Sequence, residues 1–171
     1  MKKKSIILLL VASFIVLQCG SSWELVTENK AGSNENNLFG FGIGQSKDPQ
    51  FAREKAATSA MGELARNMET YITQLISLDR GEEYTKIHVQ DIGRVTGVSE
   101  RIIKTPTLLL DKYRKTKNGY EAVIRYQIDK EKALESMQEV TNNINLNSNF
   151  RKDLDEISEK EINKLKVYRG Y

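Results

Sequence analysis

The stretch Leu-Phe-Gly-Phe-Gly-Ile-Gly at residues 38–44 alternates large apolar side chains with glycine. Successive side chains of a strand point to opposite faces, so the alternation predicts a short β-strand with two unlike faces. The apolar face carries Phe39, Phe41 and Ile43. The opposite face carries only glycines, Gly40, Gly42 and Gly44. Because glycine has no side chain, this second face leaves room for another element to approach the strand closely.

A long helix is predicted directly after this strand. Asp48 supplies an N-cap, and Pro49 stands at the first helical position, where its missing N–H is not needed. From there apolar residues recur at helical spacing as far as Leu75. Ala56 and Ala60 belong to an alanine-rich stripe of this helix. Such a stripe against the glycine face predicts a short helix-to-sheet distance and sensitivity to bulky replacements at both alanines.

The rest of the chain predicts a second helix, a hairpin and a helical C-terminus. Apolar residues between Tyr84 and Ile103 fit helical spacing, and two glycines make this second helix looser. Lys117-Asn118-Gly119 separates two alternating segments and predicts a β-hairpin. Asp129 caps a further helix, and residues 150–167 predict a charged terminal helix. The predicted fold class is α+β, with the helical C-terminus packed on a small sheet.

The N-terminus joins a basic head, Lys2–Lys4, to a 12-residue apolar run, Ile6–Leu17. The run is shorter than the roughly 20 residues that a bilayer-spanning helix needs, so residues 1–18 predict a cleaved signal peptide. Cys19 follows Gln18 directly and is the only cysteine of the chain. Although Gln18 stands where a small residue is usual, this cleavage region resembles the bacterial lipobox. We therefore predict that Cys19 becomes the acylated first residue of the mature protein.

Acyl chains on Cys19 would make a membrane the first partner of this protein, because each buried methylene contributes about 0.8 kcal/mol. Residues 19–37 are rich in Ser, Asn, Glu and Gly and predict a flexible tether. Gly20 and Ser21 follow the cysteine. Neither is the aspartate that usually retains lipoproteins in the inner membrane of enteric bacteria. The predicted location is therefore the outer membrane, on either its periplasmic or its external face.

The charge of the mature chain is balanced. Three of the 26 Lys and Arg residues lie in the signal peptide, so the mature chain carries 23 of them, matching its 23 Asp and Glu residues. A balanced surface has no long-range attraction for polyanions, so no nucleic-acid partner is predicted.

Residue types that carry catalysis or bind metals are scarce. His88 is the only histidine, and a zinc site built from one imidazole and carboxylates is uncommon. The glycines of residues 40–44 lie inside a strand, whereas the dinucleotide fingerprint places its glycines at a strand-to-helix turn. We therefore predict no metal, no cofactor and no enzymatic activity.

Three tyrosines lie on the predicted hairpin: Tyr113, Tyr120 and Tyr126. They form either a surface for a partner or cross-strand packing within the fold. Two functions stay open. One is an interaction module that binds an envelope or flagellar protein through its sheet edge, hairpin or terminal helix. The other is a carrier of a lipid, glycan or peptide, with Phe39, Phe41 and the tyrosines lining the pocket.

Residues 39–44, the spaced alanines and the hairpin strand 120–128 together resemble the LPP-twenty family of bacterial lipoproteins. The alanines in question are Ala52, Ala56, Ala57 and Ala60, followed by Leu64-Ala65. The likeness covers residues 38–140 and extends to the amino-terminal domain of flagellar assembly protein T. It implies an α+β domain, an outer-membrane lipid anchor and no known catalysis, with roles as a surface antigen or as an envelope or flagellum-associated factor. The predicted organisation is 1–18 signal peptide, 19–37 tether, 38–142 domain and 143–171 charged helical tail.

Overall fold

The computed structural model describes residues 32–170, which form a three-stranded antiparallel sheet and six helices. The strands are β1 (Asn37–Ser46), β2 (Thr107–Thr116) and β3 (Gly119–Asp129). The helices are α1 (Pro49–Arg80), α2 (Glu82–Ile87), α3 (Val89–Thr96), α4 (Ser99–Ile102), α5 (Lys130–Thr141) and α6 (Ser148–Tyr168). The predicted α+β class is confirmed. The predicted signal peptide, Cys19 and most of the predicted tether lie outside the described residues.

The strand order is β1-β3-β2, so the last strand of the chain lies in the middle of the sheet. β1 pairs antiparallel with β3, and Gly42 stands opposite Ile124. The hairpin predicted at residues 117–119 joins β2 to β3, with Thr116 paired to Gly119. Gly119 has a φ of 140°, a backbone conformation that favours glycine, and an added Cβ there would lie 2.3 Å from the carbonyl oxygen of Ser46.

Helix α1 lies directly against the glycine face of β1. Three contacts define the approach, each given as the distance from an added Cβ to a helix carbonyl oxygen. They are 2.1 Å from Gly40 to Ala60, 2.0 Å from Gly42 to Ala56 and 2.0 Å from Gly44 to Ala52. No side chain fits into such a gap. The three alanines are fully buried, because the small residues of both elements pack against each other in this contact.

The two rows of small residues stay aligned because the repeat distance of the glycines along the strand nearly equals that of the alanines along the helix. Two residues of a strand span about 6.7 Å, and four residues of a helix span about 6.0 Å. Glycines at every second strand position therefore stay in step with alanines at every fourth helix position. The strand and the helix run antiparallel, since Gly40 meets Ala60 while Gly44 meets Ala52.

The start of α1 follows the predicted signals, and its end is marked by a glycine. The side chain of Asp48 accepts hydrogen bonds from the backbone N–H groups of Gln50 at 2.7 Å and Phe51 at 3.1 Å. Pro49 occupies the first turn. The helix ends at Arg80, where Gly81 takes a φ of 89°. A left-handed position of this kind after a helix is commonly filled by glycine.

The predicted second helix between Tyr84 and Ile103 is divided into three short helices. The chain leaves helical geometry at His88 and again around Gly97 and Val98. Glycine weakens a helix by roughly 1 kcal/mol, and the two turns let the apolar side chains of this segment reach the interior from different directions. Those buried side chains are Ile92, Val95, Ile102 and Ile103.

The main core lies beyond the glycine–alanine contact, between α1 and the remaining helices. Its largest fully buried side chains include Leu38, Leu64, Met68, Ile72, Ile76, Ile102, Leu134, Met137 and Phe150. Helix α6 supplies Phe150, Leu154, Ile157, Ile162 and Leu165 to the same core. It packs against α1 and α5 and belongs to the compact unit that begins at Gly32. The sequence predicts a charged helical tail at residues 143–171, and α6, which lies within that range, contributes these buried side chains to the core.

We expect Gly42→Ala to destabilise the domain by at least about 1–3 kcal/mol, because the new methyl group overlaps the Ala56 carbonyl and must push α1 away. The control is Gly62→Ala within α1, where an added Cβ meets only the end of Arg66 at 3.9 Å. That change removes a helix glycine and should stabilise by up to about 1 kcal/mol. Urea unfolding followed by far-UV circular dichroism measures both. Equal stability of Gly42→Ala and the parent chain would contradict the close contact.

Candidate functional site

The three hairpin tyrosines lie on the helix-facing side of the sheet, in two environments. Tyr120 and Tyr126 on β3 are half-buried and pack against the small cluster formed by the α1 alanines. Tyr113 on β2 is 58% exposed. The structure therefore leaves only Tyr113 largely available to a partner, and the other two hold α1 on the sheet.

Phe39 and Phe41 project from the opposite face of the sheet. The register pairs Phe39 with Gln127 and Phe41 with Arg125, so both phenylalanines alternate with the glycines that face α1. The guanidinium of Arg125 lies 4.4 Å from the centre of the Phe39 ring, within cation–π range. Because the tyrosines lie on the other side, the two sets of aromatic residues do not line one common pocket.

The outer edge of β1 is closed by hydrogen bonds from neighbouring groups. The backbone N–H of Phe41 donates to Glu63 Oε2 at 3.0 Å, and Asn67 Nδ2 donates to the carbonyl of Phe39 at 2.7 Å. Two further bonds reach this edge. They are Phe39 N–H to the Gly32 carbonyl at 2.9 Å and Lys55 Nζ to the Gln45 carbonyl at 3.2 Å. With these groups occupied, β1 offers few backbone partners to another strand.

The side chains that close this edge come from one row of α1. Lys55, Glu63 and Asn67 are separated by multiples of four residues, and the row lies beside the alanine row at 52, 56 and 60. As polar residues of an amphipathic helix, these three are expected only to lie outside its apolar stripe. Their spacing is the available signal, but it acquires meaning only once the glycine contact has brought α1 close enough to reach the strand edge.

The outer edge of β2 is open, in contrast to that of β1. Residues of an antiparallel strand alternately direct their backbone N–H and C=O groups toward the paired strand and away from it. In this alternation, counted back from the Thr116–Gly119 pair, three residues direct their backbone N–H and C=O groups away from β3. They are Asp111, Tyr113 and Lys115. Within residues 32–170 no other strand pairs with this edge and no side chain bonds to its backbone. We call these outward groups and their neighbours the β2 edge.

The β2 edge has an apolar end and a basic end. Leu108 is 50% exposed and Leu109 is 47% exposed, next to an irregularity in the register between Leu108 and Leu110. Beyond them the side chains of Lys112, Lys115 and Lys117 form no ion pair with any residue in the described range 32–170. Exposed leucines beside unpaired lysines distinguish this edge from an evenly charged, solvated strand.

Two ion pairs fix the orientation of β2 without closing its edge. Arg53 on α1 donates from Nε to Asp111 Oδ1 at 3.0 Å, and its terminal nitrogen contacts the other carboxylate oxygen. Arg114 lies 2.8 Å from Glu121 on β3. The first pair joins the strand to the helix and the second joins it to the centre of the sheet, so the open side is held in one position.

The lone histidine lies in a stabilising cluster between α2, α3 and α6. Its ring lies 4.3 Å from the ring of Tyr84 and 5.2 Å from that of Phe150, measured between centroids. His88 Nδ1 lies 3.6 Å from Asp91 Oδ2, and Asp91 also accepts from the backbone N–H of Asn147 at 3.3 Å. These contacts connect three helices. The polar ones also compensate the free-energy cost of burying the Asp91 carboxylate.

Tyr84 completes this cluster through a hydrogen bond from its hydroxyl to Asp153 at 2.5 Å. Burial, together with that carboxylate, raises the pKa of the Tyr84 hydroxyl, so the phenol stays protonated and continues to donate. The bond connects α2 to α6. The cluster therefore acts as a cross-link of the helical layer.

A cleft of about 230 Å³ lies where α5 meets α6 and the segment before β1. Its lining includes Glu35, Lys130, Glu161, Lys164 and Tyr168. Burial lowers the pKa of the Lys130 ammonium, whose nitrogen lies 4.7 Å from the centre of the Tyr71 ring. The volume falls below the roughly 300–1,000 Å³ of small-molecule sites, and its charges are of both signs. The cleft is therefore a weaker candidate site than the β2 edge.

Within residues 32–170 there is no group of three His, Cys, Asp or Glu side chains placed to hold a metal ion. No helix in the same range is long and apolar enough to cross a bilayer.

No family model and no curated protein matches the chain. Functional inference therefore depends on the residues and their geometry.

We expect Glu63→Leu to destabilise the domain by about 1–3 kcal/mol, because it removes the acceptor of the Phe41 N–H from a partly buried site. Glu63→Gln is the matched control, since its amide oxygen still accepts this bond. Amide hydrogen exchange at Phe41 should accelerate in the leucine variant and stay near the parent rate in the glutamine variant. Equal exchange in all three chains would mean that Glu63 does not close the β1 edge.

Proposed function

We propose that this protein is a lipid-anchored outer-membrane lipoprotein whose α+β domain is a non-enzymatic module that binds another protein of the cell envelope. One observation carries the proposal. A basic head and an apolar run are followed, after Gln18, by the only cysteine of the chain, and a folded unit begins at Gly32, 13 residues after Cys19. This order, signal then acylated cysteine then domain, is the order of a bacterial lipoprotein.

The length of the apolar run favours a removable signal over a permanent membrane anchor. Ile6–Leu17 provides 12 residues, against the roughly 20 that span a bilayer. After cleavage, acyl chains on Cys19 would hold the domain, because two or more chains on one residue give stable membrane attachment. A lone cysteine cannot form an intramolecular disulfide, which leaves acylation as the use that fits its position.

Two observations support a binding role for the domain. On one edge strand, side chains of α1 bond several of the outward backbone groups, whereas the outward groups of the other strand have no bond to any residue in the range 32–170 and lie beside exposed leucines. Proteins usually cover or block such edges, so an open apolar edge favours protein recognition. The α+β architecture is also the one that the LPP-twenty resemblance implies, and membership of that family is part of the proposal.

The outer membrane is favoured by the residues after the cysteine. Gly20 and Ser21 stand where an aspartate would favour retention in the inner membrane of enteric bacteria. The proposal covers both faces of the outer membrane. A periplasmic face would bring the domain to envelope or flagellar components, and an external face would present it as a surface antigen.

Acylation is tested by expressing the full-length chain and a Cys19→Ala variant in a bacterial host. We expect the parent chain to gain acyl mass on Cys19 and to enter the detergent phase, because the thiol is the site of lipid attachment. The variant should stay unacylated and aqueous. Intact-mass measurement and detergent partitioning give the result. Processing of both chains to the same soluble, unacylated product would contradict the anchor.

Sorting is tested separately with Gly20→Asp expressed in an enteric host. The aspartate should move the acylated protein from the outer to the inner membrane, and Gly20→Ala should leave it in the outer membrane. Membranes separated on a density gradient and probed for the protein give the distribution. An inner-membrane location of the parent chain would contradict the outer-membrane proposal while leaving acylation intact.

A further inference from the structure

The β2 edge is long and regular enough to accept another strand. After the irregularity at Leu108–Leu110, the register with β3 is continuous from Leu110 to Thr116. Seven residues is an ordinary strand length. Asp111, Tyr113 and Lys115 direct their backbone N–H and C=O groups outward along this stretch, in the spacing that an added strand requires.

We propose that the β2 edge binds an extended, carboxylate-bearing segment of a partner protein as a fourth strand of the sheet. The proposal rests on the proposed function, since it names the surface and the partner chemistry of the same interaction module. Backbone hydrogen bonds to the outward groups supply general affinity, and side chains on either side of the edge select the sequence.

The positive charge of the β2 edge favours an incoming strand that carries carboxylates. Lys112 and Lys115 are three residues apart, so their side chains leave the strand on opposite faces of the sheet. Neither has an ion-pair partner among the residues from 32 to 170, and Lys117 adds a third positive charge at the hairpin. An incoming strand with acidic residues on both of its faces can therefore pair with both lysines. Opposite charges across neighbouring strands are stabilising, and like charges are destabilising.

The leucine end of the edge sets a second requirement. Leu108 and Leu109 lie beyond the regular ladder and remain about half exposed. An apolar residue near that end of the incoming segment would cover them and remove apolar surface from water. The segment that fits is thus acidic along the ladder and apolar at the end near Leu109.

A second copy of this chain fits the edge less well. Antiparallel pairing of two β2 strands centred on Tyr113 would place Lys112 opposite Arg114 of the other copy, twice in the symmetric pair. The same register places Lys115 opposite Asp111, whose carboxylate is already bonded to Arg53 and compensates the repulsion only in part. Pairing centred on Lys112 would oppose that lysine to itself. Like charges directly opposite each other destabilise a strand pair, which favours a different, acidic protein as the occupant.

The probe is a fluorescein-labelled octapeptide, Thr-Glu-Val-Glu-Glu-Val-Glu-Leu, with glutamate on both faces of the extended chain and a C-terminal leucine that antiparallel pairing places at the Leu109 end of β2. Its control has lysine in place of every glutamate. Both are titrated into the purified full chain in detergent and into its Cys19→Ala variant, with anisotropy as the readout. We expect the acidic peptide to bind at least about tenfold more tightly than the basic one, and added salt to weaken it.

Two variants locate the interaction on the edge. Lys112→Glu with Lys115→Glu should reverse the preference toward the basic peptide. Lys132→Glu with Lys152→Glu changes the net charge equally on α5 and α6 and should leave the preference unchanged. Tyr113→Pro removes an outward N–H donor and should weaken binding, with circular dichroism to verify folding.

Amide hydrogen exchange distinguishes strand addition from simple charge attraction. The acidic peptide should slow exchange of the outward amides of Tyr113 and Lys115, which donate to no other group within residues 32–170. Unchanged exchange at both amides, or equal binding of the two peptides, would overturn the proposal. A dimer that forms through β2 without peptide, detected by light scattering and lost in Tyr113→Pro, would overturn it in favour of self-pairing. Since the Cys19→Ala chain is assayed too, these outcomes are independent of whether Cys19 is acylated.

Discussion

The close approach of α1 to the glycine face of β1 is the contact on which the other features depend. The helix carbonyls of Ala52, Ala56 and Ala60 occupy the space that side chains at residues 40, 42 and 44 would need. This fixes both the distance and the rotation of the helix. Because the rotation is fixed, the neighbouring row of polar side chains on α1 falls along the outer edge of β1. Closure of that edge is therefore a consequence of the glycine contact.

The same contact explains why the two edges of the sheet differ. β2 is two strands away from β1, about 9.6 Å across the sheet, and a helix packed on the glycine face of β1 extends only about 5–6 Å to either side of its axis. Its main polar link to β2 is the Arg53–Asp111 pair, which uses side chains and leaves the strand backbone untouched. The fold thus closes the edge beside the helix and leaves the far edge available for recognition.

Local sequence patterns predict much of this fold. They do not predict the features that depend on contacts between segments distant in the chain. The glycine alternation, the Asp48-Pro49 helix start and the residues 117–119 hairpin each act over a few residues, so the sequence predicts them correctly. The glycine and alanine rows predict that α1 lies close to β1, but which polar row of the helix then meets the outer edge of the strand depends on how the helix crosses it, and Glu63 and Asn67 are identified only by the contacts themselves. The division of the second helix and the burial of α6 depend on packing between segments distant in the chain. The open β2 edge likewise follows from strand order, because the hairpin alone does not show which strand lies in the centre.

Placing β3 in the centre also affects the order in which the chain can fold. The β2–β3 hairpin closes through a two-residue loop and can form within about 1–10 μs, and β1 and α1 are adjacent in sequence. The sheet itself joins Asn37 to Asp129, so its first and last strands must meet across the whole helical segment between them. Such long-range pairing is slow because chain entropy is lost before the contacts form. The glycine strand therefore spends the early part of folding with its inner edge unpaired, and the bonds from α1 protect only its outer edge.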